Sequence, residues 1–251
     1  MQISISNAIG GGGGAQGSGG GSSFASTNSF TFDGSTDYVD MGPPSNLNSV
    51  TTMSISCWFK TTLATGVLVG ADDQSLGRRF ILLLNSSKAR FLYFNASQSY
   101  YFSDGTTSVN DGNWHHVISV LDGTNIKVYV DGVLEGTANG VGNMNANINT
   151  PINIGRRSYA SSKLAFQGNI DETSIFNTAL TQSEVTSIYN GGVPNNLNDL
   201  SNPPLSWWRM GEEANYTGRE WVLTDQGSGG NNGFSNTLPA PPAQPSTDVP
   251  T

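Results

Sequence analysis

Five Asp-Gly pairs punctuate the middle of this chain: Asp33-Gly34, Asp104-Gly105, Asp111-Gly112, Asp122-Gly123 and Asp131-Gly132. Both residues tolerate positive φ, so the pair suits tight turns whose twist matches two antiparallel strands. Between the pairs lie short apolar runs with a period of two. Residues 54–60 set Ile55, Cys57 and Phe59 against Ser54 and Ser56, and Ile126, Val128 and Val130 alternate with Lys127, Tyr129 and Asp131. Residues 80–84 and 89–94 are apolar or aromatic and flank Asn85-Ser86-Ser87, a further hairpin signal. A strand turns alternate side chains to opposite faces, so each run offers one face to a core. Many short strands with regular turns predict two packed sheets. At 251 residues the chain can hold one large sandwich with extensions, or two small domains.

Three zones are expected. Residues 1–29 form a Gly/Ser-rich N-terminal arm, 30–191 the sandwich, and 192–251 a C-terminal extension with an added strand and a Pro-rich tail. The stretch 10–23 reads either as a flexible linker or as part of an assembly arm in which Ile3 and Ile5 alternate like a docking strand. One helix is predicted. Thr181-Gln182-Ser183-Glu184 is a capping box, in which the Thr hydroxyl and the Glu carboxylate each satisfy a free amide. Val185, Ile188 and Tyr189 then make one apolar face, and Gly191-Gly192 ends the helix. Its expected place is one end of the sandwich.

Charge narrows the function. Asp, Glu, Lys and Arg make up 12% of the chain, about half the usual ~25%. Polarity comes instead from Ser, Thr and Asn, which suits a surface that packs on other protein. Net charge is −8, and the 11 basic residues are scattered apart from Arg78-Arg79 and Arg156-Arg157. A nucleic-acid groove needs clustered cations, so nucleic acid is not an expected partner, and neither is an anionic membrane. No apolar run reaches the roughly 18 residues of a membrane span. The N-terminus has neither the basic region nor the apolar run of a secretory signal. Cys57 is the only cysteine, so no intrachain disulfide is available, and its alternation with Ile55 and Phe59 marks a buried strand position.

Five motifs in order resemble the laminin G-like, or concanavalin A-like, jelly roll that pentraxins share. Phe32-Asp33-Gly34-Ser35-Thr36-Asp37-Tyr38-Val39 resembles the opening strand pair, and Ser54-Ile55-Ser56-Cys57-Trp58-Phe59-Lys60 the next core strand. Asp111-Gly112-Asn113-Trp114-His115-His116-Val117 resembles the turn and Trp-His strand, and residues 126–132 the following hairpin. Residues 166–172, continuing to Ala179-Leu180 and the capping box, resemble the closing strand and helix. The resemblance implies an all-β fold: a two-sheet antiparallel jelly-roll sandwich with one short helix and extended N- and C-terminal arms. One departure stands out. The family's opening strand and its Gly-rich turn are missing before Phe30, and a similar stretch occurs at residues 205–210 and 224–233. The C-terminal segment is therefore expected to supply that strand, in cis or to a neighbouring subunit, because an open sheet edge needs cover.

Catalysis is not expected. Glycoside hydrolysis needs two carboxylates flanking one bond. Asp171-Glu172 and Glu212-Glu213 are adjacent pairs, and neighbours on a strand point to opposite faces. The same argument parts His115 from His116. The resemblance implies a structural calcium, with Asp33, Asp37, Asp171 and Glu172 at the matching positions. Read locally, Asp33 caps its own turn and Asp171 bonds backbone amides, and both readings stay open. Sugars stack on ring faces, so Tyr100, Tyr101 and Tyr159, with Phe102, are candidate glycan contacts. The five tryptophans are expected to be packing anchors. Domains of this style followed by Trp207-Trp208-Arg209-Met210-Gly211 resemble virion proteins of tailed phages of aquatic bacteria. The expected function is therefore a non-enzymatic virion structural protein (capsid decoration, fibre or tail) that touches other virion proteins, copies of itself in a homo-oligomer, and glycans. The alternative is a carbohydrate-binding module of a cell-surface or secreted protein.

Overall fold

The computed structural model describes residues 24–43, 45–47, 50–73, 76–142, 144, 149–158, 163–235 and 237–251. The readings of Ile3, Ile5 and the stretch 10–23 lie outside them. In chain order the strands are β1 (Phe30–Asp33), β2 (Val39–Asp40), β3 (Met53–Lys60), β4 (Gly66–Asp73), β5 (Gly77–Asn85), β6 (Lys88–Phe94), β7 (Tyr100–Asp104) and β8 (Trp114–Leu121). They continue with β9 (Asn125–Val130), β10 (Val133–Asn139), β11 (Asn153–Ile154), β12 (Gln167–Phe176), β13 (Ser206–Trp208), β14 (Ala214–Tyr216), β15 (Trp221–Leu223) and β16 (Gly233–Ser235). Helix α1 (Gln182–Tyr189) follows β12. The smaller sheet has the order β1-β12-β3-β8-β9-β10, with β13 also on β12. The larger has the order β14-β15-β16-β2-β11-β4-β5-β6-β7.

Alternation builds the core. Ile55, Cys57 and Phe59 of β3 and Val117 of β8 face Phe80, Leu82 and Leu84 of β5 and Phe91 and Tyr93 of β6, all fully buried. Cys57 is sealed there, and burial pushes its thiol up to about 12. Two-residue turns join β5 to β6 and β9 to β10. Their residues all take positive φ: Ser86 (51°) with Ser87 (68°), and Asp131 (48°) with Gly132 (81°). Asp111 and Asp122 hold wider turns, their carboxylates accepting from the amides of Asn113, and of Thr124 and Asn125.

The capping box forms as expected: Glu184 N–H donates to the Thr181 hydroxyl, and Thr181 N–H donates to the Glu184 carboxylate. Asn190, at φ 49°, ends α1 one residue before the two glycines. The helix does not plug an end of the sandwich. Val185 and Ile188 pack on Ile118, Val120, Tyr129 and Phe176, on the outer face of the smaller sheet. The reason is that β8 carries apolar side chains on both faces and Phe176 of β12 adds to the outer one, so a second layer must cover it. Tyr189 of α1 stacks on Trp58 and His116 of the sheet below, and His116 Nε2 meets the Ser56 hydroxyl at 2.7 Å.

The segment after Leu205 closes the fold within one chain. β13 pairs with β12 in the register Ser174↔Trp207, while β1 pairs with the earlier half of β12, as in Phe30↔Ile170. β3 lies along the other side of β12, so β1 and β13 meet end to end on one edge. The last residues then return over β1. Ser29 and Ser246 exchange two backbone hydrogen bonds of 2.8 Å, and the Gln244 side chain bonds both backbone groups of Thr31. Asp248 accepts from Lys60 Nζ at 2.8 Å and from the Trp114 indole at 2.9 Å. This strap occupies hydrogen-bonding groups that an edge strand would otherwise present to another chain. Deleting residues 244–251 is expected to speed amide exchange at Ser29 and Thr31 and to promote self-association. Hydrogen-exchange mass spectrometry with light scattering checks this, and unchanged protection at both amides would contradict it.

Candidate functional site

The outer face of the larger sheet carries an aromatic platform at its β6–β7 edge. The register pairs Phe94 with Tyr100, Leu92 with Phe102 and Arg90 with Asp104. The two-residue period puts these six on one face. Tyr100 and Phe102 are 64% and 44% exposed, far more than the other rings around them. Phe94 lies 6.4 Å from the Tyr100 ring, and the Arg78 guanidinium sits 4.8 Å over Phe94. The Arg90 guanidinium sits 4.2 Å from the Phe102 ring and holds Asp104 through two hydrogen bonds. Exposed ring faces beside charged hydrogen-bonding groups can take the apolar face of a sugar and its hydroxyls together.

Only part of the expected set reaches this face. Tyr101 turns inward and packs against the main core, because consecutive strand residues cannot share a face. Tyr159 lies outside the described residues. Four of the five tryptophans, Trp58, Trp207, Trp208 and Trp221, are buried; Trp114 is partly exposed.

The four acids expected around a calcium ion do not gather. Asp33 folds onto its own turn, its carboxylate accepting from the amides of Ser35, Thr36 and Asp37. Burial opposes ionisation there, but the Ser35 hydroxyl and these amides hold Asp33 well below the usual carboxylate range. Asp37 accepts from Asp33 N–H, and burial with the Asp33 charge pushes it up to about 6.

Asp171 and Glu172 instead converge with Glu212, which was not anticipated. Oxygens of the three carboxylates lie within 4.8 Å of one another. Glu172 sits at φ +46° in a bulge of β12, and this breaks the alternation that would have separated it from Asp171. The bulge falls where β1 ends and β13 begins. Asp171 accepts from the Ser26 hydroxyl (2.6 Å) and Glu172 N–H (2.7 Å). Glu172 accepts from the Trp207 indole (2.6 Å) and Arg209 Nε (3.3 Å). Glu212 accepts from the amides of Thr27 and Asn28. Arg209 also donates to the Ala25 carbonyl and stacks 4.3 Å from Phe24. Burial raises both Asp171 and Glu172, the latter to about 7 in spite of Arg209.

A calcium ion wants six to eight oxygen ligands. Here N–H and O–H donors already occupy most carboxylate oxygens, and a guanidinium provides the positive charge. The donor set does not fit a resident calcium. It acts as a latch that joins residues 24–28 and β13 to the closing strand. Nothing near Asp171 in the sequence signals Glu212 or Arg209.

The histidines separate as adjacency requires. Asp131 and Asp111 grip His115 at 2.8 and 3.2 Å, and chiefly the Asp131 bond raises its pKa. Burial lowers His116 to about 3.

Residues 33–186 match the family model of the concanavalin A-like lectin/glucanases superfamily. No curated protein matches the chain. A candidate carbohydrate-binding protein from Bacteroides ovatus superposes with a TM-score of 0.69 at 15% identity, over 90% of this chain and 62% of its own. The chain thus spans less than two thirds of that protein's length. The SAP-like pentraxin of Limulus polyphemus gives a TM-score of 0.54 at 16% identity, over 65% of this chain and 82% of its own. The sialidase CBM40 of Ruminococcus gnavus, solved with α2,3-sialyllactose, gives 0.51 at 15% identity, over 66% and 96%. Likeness at such identities concerns the fold.

Proposed function

Because the chain belongs to the concanavalin A-like lectin/glucanases superfamily, we propose that it is a non-catalytic glycan-binding sandwich whose contact face is the β6–β7 platform. The observation that carries this reading is the pair of exposed rings, Tyr100 and Phe102, flanked by Phe94 and two arginines on one sheet face. The burial of the acids supports the absence of catalysis. A glycosidase needs two carboxyl groups on either side of an open subsite. The three-acid cluster is covered by residues 24–28 and tied to Arg209, and Asp104 on the platform is held by Arg90.

The double variant Tyr100→Ala/Phe102→Ala tests the site. Glycan-array binding is expected to fall by at least about tenfold, since two stacking contacts are worth more than about 1.4 kcal/mol together. The melting temperature should stay close to the parent's, because both rings are largely in water. Undiminished array binding by the variant would refute the assignment.

We place this sandwich in a virus particle, as an adhesive structural component. The low charge, the Gly/Ser-rich N-terminal stretch and the Trp207-Trp208-Arg209-Met210-Gly211 motif support this. Mass spectrometry of purified particles tests it, and the protein's consistent absence from them would favour a cell-surface module instead.

A further inference from the structure

We propose that a cleft on the opposite face of the sandwich is a second glycan site, selective for neutral saccharides. The inference rests on the glycan-binding reading above and extends it to a place that reading does not use. The cleft, about 370 Å³, lies between Phe24, the loop carrying Asn196 and Asn198, Trp207 and Arg209 at β13, and Gln226. Trp207 belongs to the layer that α1 forms on the outer face of the smaller sheet, whereas the platform is on the outer face of the larger one. Its volume falls in the range of about 300–1,000 Å³ common to small-ligand sites.

The lining sets the ligand class. Three carboxamides, Asn196, Asn198 and Gln226, carry both donors and acceptors, and a pair of sugar hydroxyls requires both. The Asn198 side chain donates to the Gln226 carbonyl at 3.1 Å, and the Asn196 side chain accepts from Asn198 N–H, so local bonds position the two loops. Phe24 stacks on Trp207 with centroids 5.9 Å apart and stays partly exposed, a surface for the apolar side of a sugar ring. The one cation in the wall, Arg209, is neutralised from behind by Glu172 (3.3 Å) and Glu212 (3.7 Å). An anionic sugar would therefore meet no net positive charge, while a neutral one loses nothing by its absence.

NMR titration of the full chain tests this, with lactose and chitobiose as neutral probes and 3′-sialyllactose as an anionic one. Neutral probes are expected to shift the side-chain amides of Asn196, Asn198 and Gln226 and the Trp207 indole. Those shifts should persist in Tyr100→Ala/Phe102→Ala. Asn198→Ala/Gln226→Ala, both at the surface, should weaken them about tenfold in apparent affinity, the worth of one to two hydrogen bonds. If platform signals respond while the cleft stays silent, the cleft proposal is overturned and the glycan-binding reading stands. Cleft shifts from sialyllactose alone would overturn the neutral class. Silence at both places with every probe would bring down the reading together with the inference.

Discussion

Trp208→Ala is expected to destabilise the whole protein by about 4 kcal/mol, the cost of emptying a large core site. Trp208 comes from the C-terminal segment, yet it is 1% exposed and packs in the main core. Its indole donates to the Asn231 carbonyl at 2.8 Å, which ties β13 to the loop before β16. β13 is only three residues long, so ladder hydrogen bonds contribute little to its docking and the side chain must hold it. Alanine would remove the ring, leave a cavity between the sheets and orphan that carbonyl. For a domain with about 5–15 kcal/mol in total, this is a large share. Val193→Ala, at a site 49% exposed, is the control and should change stability by less than about 0.5 kcal/mol. Urea unfolding with a single transition would show the loss. A cost below about 1 kcal/mol would mean that the segment is a detachable arm and not part of the sandwich.

The second large effect is on pH. Between about pH 5 and 8 the acid cluster is expected to make the protein less stable as pH rises. Glu172 has its folded pKa raised to about 7 by burial, above its ordinary 4.5, and Asp171 is raised in the same direction by burial and the Glu172 charge. A raised pKa means that the folded state holds the proton more tightly than the unfolded chain. The contribution is complete below the ordinary carboxylate value and disappears as pH climbs through about 7. Its size is roughly 1–3 kcal/mol. Asp33 and Asp122 act in the other direction: both are depressed, so their contribution is present at neutral pH and lost in acid. His116, which burial lowers to about 3, acts with them as pH falls below its ordinary 6.5, so the cluster's own contribution is read from a variant that changes only the cluster. Glu212→Gln keeps an acceptor for the Thr27 and Asn28 amides but removes one charge from the cluster. It should raise the melting temperature above about pH 7 and flatten the profile. Thermal melts of parent and variant across this range decide the matter; a variant whose melting temperature tracks the parent's at every pH would sink the argument.

The latch and the strap have one structural purpose. β12 is long enough to need two partners on one edge, β1 and then β13, and the bulge at Glu172 marks their junction. The latch closes that junction from residues 24–28, and the strap of residues 244–248 covers the far side of β1. Residues 24–28 and 244–248 are thereby engaged on the smaller sheet. The platform at the β7 edge of the larger sheet is covered by neither of them, since both lie on the smaller sheet.

Local chemistry explains what was legible beforehand. The strands β3, β5, β6 and β9, the Ser86-Ser87 and Asp131-Gly132 turns, the capping box and the burial of Cys57 each depend on a few consecutive residues and their φ/ψ preferences. Tyr100 was legible as an aromatic candidate, but not the fact that Tyr101 turns away from it, because the face a strand shows to water depends on the sheet opposite. The place of α1 is not legible for the same reason: its apolar face is set by local spacing, but the outer face of the smaller sheet that receives it is not.

The sequence by itself determined the period-two strands, the turns between them and the one capped helix, since steric limits on neighbouring residues set these wherever the chain lies. Tertiary structure alone decided that Glu212 and Arg209 join Asp171 and Glu172, that one edge of β12 holds both ends of the sandwich, and that Arg78 stands over the buried Phe94 of β6 and Arg90 over the exposed Phe102 of β7. Such contacts join residues far apart along the chain. They form only when burial of apolar surface brings those segments together, and a strand's own residues carry no record of which distant segment will cover it.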